Sequence, residues 1–166
     1  LFVLEAGSGV SSVIIGLALK LNNYGESISL EHDITYANIT SENMGINELE
    51  MKSVVKHSPL IEYDNLEQKW KWYDINELKF SNKIDMLIVD GPFRITQELA
   101  RYPAIPILHE YFSDRFTILL DDSKRDDEAI IIQKWIVFLE TNKYKVKIEN
   151  FINYEKGMTI LQVYRC

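Results

Sequence analysis

The sequence predicts an α/β protein with a doubly wound, mostly parallel sheet that has an antiparallel last strand and an inserted β-hairpin. Strand patterns alternate with helix patterns from the first residues onward, which is typical of a parallel sheet covered by helices. Two continuous apolar runs bounded by charges, residues 84–90 and 116–122, indicate buried parallel strands. Two adjacent strand patterns close the chain and predict the antiparallel pairing.

The first elements alternate regularly. Residues 2–5 have an apolar strand pattern and are followed by a Gly-x-Gly turn. Residues 10–21 carry apolar side chains at helical spacing, and Gly25 is the glycine expected just past a helix end. Residues 27–31 alternate as a strand does, and a second helix is predicted to begin at Asp33 or Thr35 and to run to about Met44.

The later elements complete the sheet. Residues 51–56 form a third core strand, and residues 68–73 alternate as a half-exposed hairpin strand does. Residues 95–112 are predicted to be helical with interruptions at Pro103 and Pro106. Residues 126–140 form an amphipathic helix, and the closing strands are residues 144–151 and 158–164.

The chain is expected to form one domain, residues 1–166, because no repeat or proline- and glycine-rich linker divides it. Leu1 falls directly within a strand pattern, so we expect the native N-terminus to be missing.

Composition restricts the class of partner. Of 166 residues, 46% are hydrophobic and 26% charged, as in one compact domain. The formal net charge of -7 disfavours a nucleic-acid partner, since that affinity depends mainly on Lys and Arg, and favours a small-molecule or glycan substrate. Cys166 is the only cysteine, which excludes an internal disulfide and favours a reducing, cytoplasmic setting. No apolar run is long enough to cross a bilayer, so no membrane partner is expected.

The turn after the first strand predicts a cofactor site. Gly7 and Gly9 let a ligand approach the main chain, and the helix start offers unpaired N–H groups between Ser8 and Ser12. A dinucleotide motif would place a third glycine at position 12, and a carboxylate at Glu5 would repel a pyrophosphate while attracting an ammonium group. The methionine part of S-adenosylmethionine, with its amine and carboxylate, fits this corner better. The alternative is a purely structural turn.

Acidic residues stand at the ends of the predicted strands: Glu5, Glu31, Asp90 and the pair Asp121-Asp122. Ligands of doubly wound sheets bind at these strand ends. Glu31 lies about 20 residues beyond the glycine turn, the spacing at which a carboxylate accepts hydrogen bonds from both hydroxyls of a ribose. The alternative for such a residue is a solvated strand end.

Residues 3–9, 29–33 and 85–92 resemble the class I S-adenosylmethionine-dependent methyltransferases, and the resemblance covers nearly the whole chain. It implies a Rossmann-like sheet of seven strands, with Glu5, Gly7, Ser8 and Gly9 around the methionine moiety, Glu31 on the ribose and His32 beside the adenine. Ser11 departs from the family, because many members have a third glycine there.

The same resemblance implies that the adenine lies at the end of the third strand. Ser58 is the first candidate to meet its edge, and Asp74 is the alternative acceptor for its amino group. Trp70, Trp72 and Tyr73 could stack on a ligand, but alternating strand aromatics more often pack on one face, which is the interpretation favoured here.

The acceptor chemistry has two explanations. Residues 119–122 resemble the catechol-type O-methyltransferases, which implies a Mg²⁺ held by Asp90 and Asp122; the alternative is that Asp122 caps the next helix. Without metal, a side chain must take the acceptor's proton, with Asp90 and His57 as the first candidates and Asp122 as another. His109 is also possible as the base, although a structural role is favoured for it.

Basic residues beyond the fourth strand are open to two interpretations. In the first interpretation, Arg94 or Arg101 binds an anionic or sugar-like acceptor; in the second, each forms a surface salt bridge. Residues 124–128, at the start of the next helix, are predicted to form a solvated, capped first turn. The sequence thus predicts a small-molecule or glycan methyltransferase acting on oxygen. The alternatives are an NAD-type oxidoreductase and a non-catalytic Rossmann-like binding module.

Overall fold

The structure is a computed structural model that describes residues 1–64, 68–80, 82–151, 153 and 155–166. Within these residues the elements are, in order, β1 (Phe2–Ala6), α1 (Val10–Asn22), β2 (Glu26–Glu31), α2 (Ile34–Ile46), β3 (Ser53–His57), β4 (Leu60–Tyr63), β5 (Trp70–Tyr73), β6 (Ile84–Val89), α3 (Ala104–Leu108), β7 (Phe112–Asp121), α4 (Asp126–Thr141), β8 (Tyr144–Phe151) and β9 (Met158–Arg165).

One seven-stranded sheet has the order β3-β2-β1-β6-β7-β9-β8. The five strands from β3 to β7 in this order run parallel, whereas β9 is antiparallel to both of its neighbours. This confirms the predicted doubly wound sheet with an antiparallel last strand. The chain passes from β1 to β2 on one side and returns to β6 on the other, so the ends of β1, β2 and β6 border the crevice where such sheets bind ligands.

Helices cover both faces of the sheet. Ser12 of α1 bonds to Glu5, while Trp135 of α4 belongs to the same buried cluster as Leu4. Because neighbouring strand residues point to opposite faces, α1 and α4 lie on opposite sides. In the described part of the chain no helix is long and apolar enough to span a membrane.

The inserted hairpin consists of β4 and β5, which pair antiparallel apart from the main sheet. Trp70, Trp72 and Tyr73 are all buried in the main core cluster. The packing role favoured for these aromatics is therefore confirmed.

The segment between β6 and β7 differs from the prediction of a helix broken by two prolines. Only α3 and two short 3-10 turns, Arg94–Thr96 and His109–Tyr111, form there. Pro103 is the N-cap of α3, and Pro106 lies in its first turn, where no intrahelical partner for an N–H exists and proline is tolerated. His109, which bonds to the Pro106 carbonyl and packs edge-on against Phe138, has the structural role favoured for it.

Candidate functional site

The glycine turn joins β1 to α1 as predicted. Gly7 has φ +107° and Gly9 has φ +147°, angles that side chains with a Cβ rarely adopt. Gly9 is the N-cap of α1, and its N–H donates to Ser12 Oγ at 3.1 Å. The first N–H groups of α1 have no intrahelical acceptor, so the turn retains its capacity to bind an anionic group such as a carboxylate.

Glu5 lies beneath this turn and is fully buried. Its Oε2 accepts hydrogen bonds from Ser12 Oγ at 2.5 Å and Ser29 Oγ at 2.6 Å, while Oε1 is buried with no hydrogen-bond partner among the described residues. Burial raises the pKa of the Glu5 carboxyl, against the opposing effect of the serine hydroxyls. An ammonium group, or a water bridging to one, would complete the hydrogen bonding at Oε1.

Glu31 ends β2 beside the turn and is largely buried. Its Oε2 accepts from Ser8 Oγ at 3.1 Å, and its Oε1 accepts from the Asp33 N–H at 3.0 Å. His32 Nδ1 also lies 3.0 Å from Oε1. The carboxylate is therefore fixed by the chain itself, and its remaining acceptor positions are those available to ribose hydroxyls.

The hairpin brings together the two residues considered for the adenine. Ser58 Oγ donates to the Asp74 carbonyl oxygen at 2.7 Å, and the Ser58 N–H donates to the Glu31 carbonyl oxygen at 2.7 Å. Asp74 Oδ1 accepts from the Asn76 N–H at 2.9 Å. Ser58 and Asp74 thus form one structural corner at the ends of β2 and β3, next to His32.

An aromatic group lies between β2 and the loop after β6. The rings of Tyr73 and Phe93 each pack edge-on against His32, with centroids 6.0 Å apart. Tyr73 is buried, whereas Phe93 is 63% exposed. Gly91 approaches both Tyr73 and the glycine turn closely, since a Cβ on it would lie 2.3 Å from Tyr73 Oη and 3.3 Å from Gly7 N.

His57 and Asp90 are not brought together. His57 ends β3 and is paired in register with Glu31, with its Nε2 3.2 Å from the His32 carbonyl oxygen. Two strands separate β3 from β6, which places their ends about 14 Å apart. His57 therefore lies on the side of the predicted adenine site, and of the two predicted bases only Asp90 lies across from the glycine turn.

Asp90 is held by Arg101, whose burial the sequence did not predict. The guanidinium of Arg101 donates from Nη2 to the Asp90 carbonyl oxygen at 2.5 Å and to Asp90 Oδ1 at 3.0 Å, and from Nη1 to the Asp121 carbonyl oxygen at 2.8 Å. It also lies 3.3 Å from Asp122 Oδ2 and 3.6 Å from Glu128 Oε1. Arg101 is only 3% exposed, so it is neither a surface salt-bridge residue nor open to substrate.

The Asp90 carboxylate, in contrast, is half-exposed. Partial burial raises the pKa of the Asp90 carboxyl; Arg101 lowers that pKa, and the neighbouring charges of Asp121 and Asp122 raise it. A carboxylate with a raised pKa is a better proton acceptor than an ordinary surface aspartate.

The turn into α4 also differs from the prediction of a solvated, capped first turn. Arg125 is the N-cap without a side-chain capping bond, and its guanidinium lies 2.7 Å from Asp122 Oδ2. Glu128 is buried, and burial raises the pKa of its carboxyl. Asp122 therefore binds arginines rather than capping α4, with Lys156 Nζ 3.8 Å from its other oxygen.

The predicted metal ligands meet, but the residues around them do not fit a divalent metal. Carboxylate oxygens of Asp90, Asp121 and Asp122 lie within 4.8 Å of one another. Arg101 already binds Asp90 Oδ1, and both Arg101 and Arg125 bind Asp122 Oδ2. A divalent cation would have to enter against these cationic side chains.

The sheet order, the glycine turn and the acidic strand ends together define the fold of class I S-adenosylmethionine (SAM)-dependent methyltransferases. An O-methyltransferase from Bacillus cereus, solved in complex with SAH, is 14% identical and has a TM-score of 0.67, with 98% of this chain and 73% of that chain covered. The O-methyltransferase TomG from Streptomyces achromogenes, involved in tomaymycin synthesis and solved with SAM, is 13% identical and has a TM-score of 0.67. The match covers 98% of this chain and 73% of that chain.

The N-terminal domain of human METTL16 in complex with SAH is 17% identical, with a TM-score of 0.64, and the match covers 98% of this chain and 60% of that chain. At these identities the likeness establishes the fold. No protein-family model and no curated protein sequence matches the chain.

Sequence reasoning missed the burial of Arg101 and Glu128. A signal for each is present in the sequence: Arg101 stands in an otherwise apolar stretch, and Glu128 lies at helical spacing with Ile132, Trp135 and Leu139 on the buried face of α4. Charged residues in such positions are typical of buried ion pairs.

Proposed function

We propose that this chain is a SAM-dependent methyltransferase that acts on a small molecule or glycan, with a hydroxyl oxygen as acceptor. The observation that carries the proposal is the convergence of the glycine turn, the fixed Glu31 carboxylate and the half-exposed Asp90 around one crevice. The neighbouring structures solved with SAM or SAH have the same fold.

The cofactor residues proposed from the sequence fit this role. The carboxylate of the methionine moiety binds the N–H groups at the start of α1, and its amine is attracted by Glu5, whose Oε1 has no partner among the described side chains. Glu31 binds the ribose, and His32, Ser58 and Asp74 surround the adenine. When bound, SAM supplies a sulfonium methyl group that is already reactive toward nucleophiles.

The chain then has to orient the acceptor and take its proton. Asp90 lies at the end of β6 across from Gly7, with one oxygen fixed by Arg101. Its carboxylate accepts the proton of the acceptor hydroxyl, and the exposed ring of Phe93, which packs against His32 from the loop after β6, offers an apolar surface. A neutral or cationic acceptor suits this acidic surrounding better than an anionic one.

Ligand binding separates this proposal from its alternatives. Calorimetry and thermal melting with SAH, SAM and NAD are expected to show binding and a higher Tm with SAH and SAM only. Stabilisation by NAD alone would indicate an oxidoreductase, and no heat with millimolar SAH would indicate a binding module. Methyl transfer from SAM to panels of sugars, phenols and carboxylates then identifies the acceptor.

A further inference from the structure

The strongest unexplained feature is the position of the Arg101 guanidinium. It lies at the ends of β6 and β7 and donates hydrogen bonds to the carbonyl oxygens of Asp90, the residue after β6, and of Asp121, the last residue of β7. The same group bonds to the side chains of Asp90 and Asp122. A single buried cation therefore cross-links two strand ends and two of the three carboxylates that converge there.

These contacts occupy one oxygen each of Asp90 and Asp122, two of the three carboxylates that a metal ion at this point would share. A divalent cation binds carboxylate oxygens directly, at distances shorter than a hydrogen bond. Asp90 Oδ1 lies 3.0 Å from Arg101, and Asp122 Oδ2 lies 2.7 Å from Arg125 and 3.3 Å from Arg101. Lys156 Nζ, 3.8 Å from Asp122 Oδ1, adds a third cation to the same carboxylate.

Glu128 supports the interpretation that the cation belongs to the folded chain. This buried carboxylate lies 3.6 Å from Arg101 and 3.8 Å from Arg125 on the side of the guanidinium groups facing α4. A buried charge is stable only when it is paired, and Glu128 pairs with the arginines and not with a solvent-exposed site. Removing Arg101 would therefore take from Asp90 the cation that holds it and would leave Asp122 and Glu128 with Arg125 as their remaining arginine.

We propose that Arg101 is a resident cation that takes the place of a divalent metal at the ends of β6 and β7. Arg101 is then a positioning residue: its guanidinium fixes one carboxylate oxygen of Asp90, and only Asp90 contacts the acceptor. The site consequently binds no divalent cation, and methyl transfer, which rests on the proposed function, is independent of one.

The test measures cation binding and needs no activity. Full-length wild-type protein and the variants Arg101→Met, Arg101→Lys and Arg115→Met are titrated with Mn²⁺ and Mg²⁺ by calorimetry and melted with and without the ions. We expect no heat and no Tm shift for the wild type. Arg101→Met is expected to melt at a lower temperature, to bind Mn²⁺ and to regain Tm with it, because Asp90 has lost the cation that held it and Asp122 has lost one of its two arginines.

The control variants separate an effect at this site from an effect of the protein's net charge. Arg101→Lys keeps a cation and is expected to bind no Mn²⁺. Arg115→Met removes the same charge from the exposed opposite end of β7 and is expected to behave as the wild type. If the wild type binds Mn²⁺ and Asp90→Asn abolishes that binding, the proposal is overturned. This comparison tests the proposal even if Arg101→Met does not fold. A folded Arg101→Met protein that takes up no Mn²⁺ would overturn it as well.

The proposed function fails in a different experiment. A protein that binds no SAH contradicts the methyltransferase proposal but leaves the cation measurement intact. Once an acceptor is found, activity that is unchanged after chelator treatment supports the metal-independent site, and activity restored only by added Mg²⁺ contradicts it.

Discussion

At the scale of single residues, three carboxylates at neighbouring strand ends have three different environments. Glu5 is buried and has one unpaired oxygen among the described groups, Glu31 is fixed by N–H and hydroxyl donors, and Asp90 is half-exposed and held by Arg101. Because the partners differ, the same chemical group is suited to attracting a charge, binding hydroxyls or accepting a proton.

The ribose role of Glu31 predicts a loss of cofactor affinity in Glu31→Ala. Removal of a charged acceptor of two hydroxyls should weaken SAH binding by about 1–3 kcal/mol. Calorimetry measures the effect, with Glu42→Ala, an exposed carboxylate on α2, as the matched control. Equal SAH affinity of Glu31→Ala and wild type, with both folded by circular dichroism, would refute the assignment.

The buried Glu5 predicts a pH-dependent stability. Because the pKa of Glu5 is raised above 4.5 in the fold, the folded state retains a proton that the unfolded state releases, and stability falls as pH rises from 4.5 to the folded pKa. Glu5→Gln does not titrate, so its stability relative to wild type should increase over this range. Urea unfolding at several pH values measures the difference.

Glu42→Gln removes one exposed carboxylate and serves as the control for a simple change of net charge. A stability difference between Glu5→Gln and wild type that stays constant with pH would contradict the argument. SAH binding measured on the same variant shows whether the charge of Glu5 also attracts the cofactor amine.

At the scale of elements, the hairpin and the loop after β6 are fitted closely to each other. Tyr73 on β5 fills the space over Gly91, and Gly91 in turn contacts the glycine turn at Gly7. The hairpin, which is distant along the chain, therefore supports the glycine turn, and α3 belongs to the same buried core.

This contact predicts that Gly91→Ala destabilises the protein by about 1–3 kcal/mol, since the new Cβ would overlap Tyr73 Oη. Gly91→Ala combined with Tyr73→Phe should recover part of the loss, because the double variant lacks the overlapping hydroxyl. Thermal and urea unfolding measure both. Gly45→Ala near the end of α2 meets only the flexible side chain of Glu50 and is expected to be neutral or stabilising. Equal stability of Gly91→Ala and wild type would show that the close approach is not required.

At the scale of the whole molecule, acidic charge dominates. The formal net charge is -7, and the buried Arg101 and the partly exposed Arg125 are paired with Asp122 and Glu128. Affinity for nucleic acids depends mainly on Lys and Arg, so we expect the excess of acidic charge to weaken it.

The charge distribution predicts that the protein does not bind RNA. Fluorescence anisotropy with labelled single-stranded and hairpin RNA at roughly 0.15 M salt should show no binding. Binding that weakens steeply with added salt would contradict the prediction and would make nucleic acid the acceptor to test first. SAH binding measured on the same preparation serves as the control that the protein is folded and able to bind a ligand.

Much of the fold follows from local patterns. Alternation of apolar residues gives strands, helical spacing gives helices, and their order is enough to predict a doubly wound sheet with its ligand at the strand ends. The observed bounds of some elements differ from the predicted ones by a few residues. The strand predicted at residues 116–122 begins at Phe112 as β7, because Phe112 pairs with Ile84 beyond a register shift that the sequence pattern does not reveal.

The sequence by itself determined which chemical groups stand at the ends of the parallel strands, because strand period and element order fix those positions. It did not determine how those groups are paired. Arg101 is distant along the chain from Asp122 and Glu128, and only the packing of the α3 region and α4 against β6 and β7 brings it to them. Tertiary structure alone decided which carboxylates pair with the buried Arg101, because no local pattern specifies the partners of a buried charge.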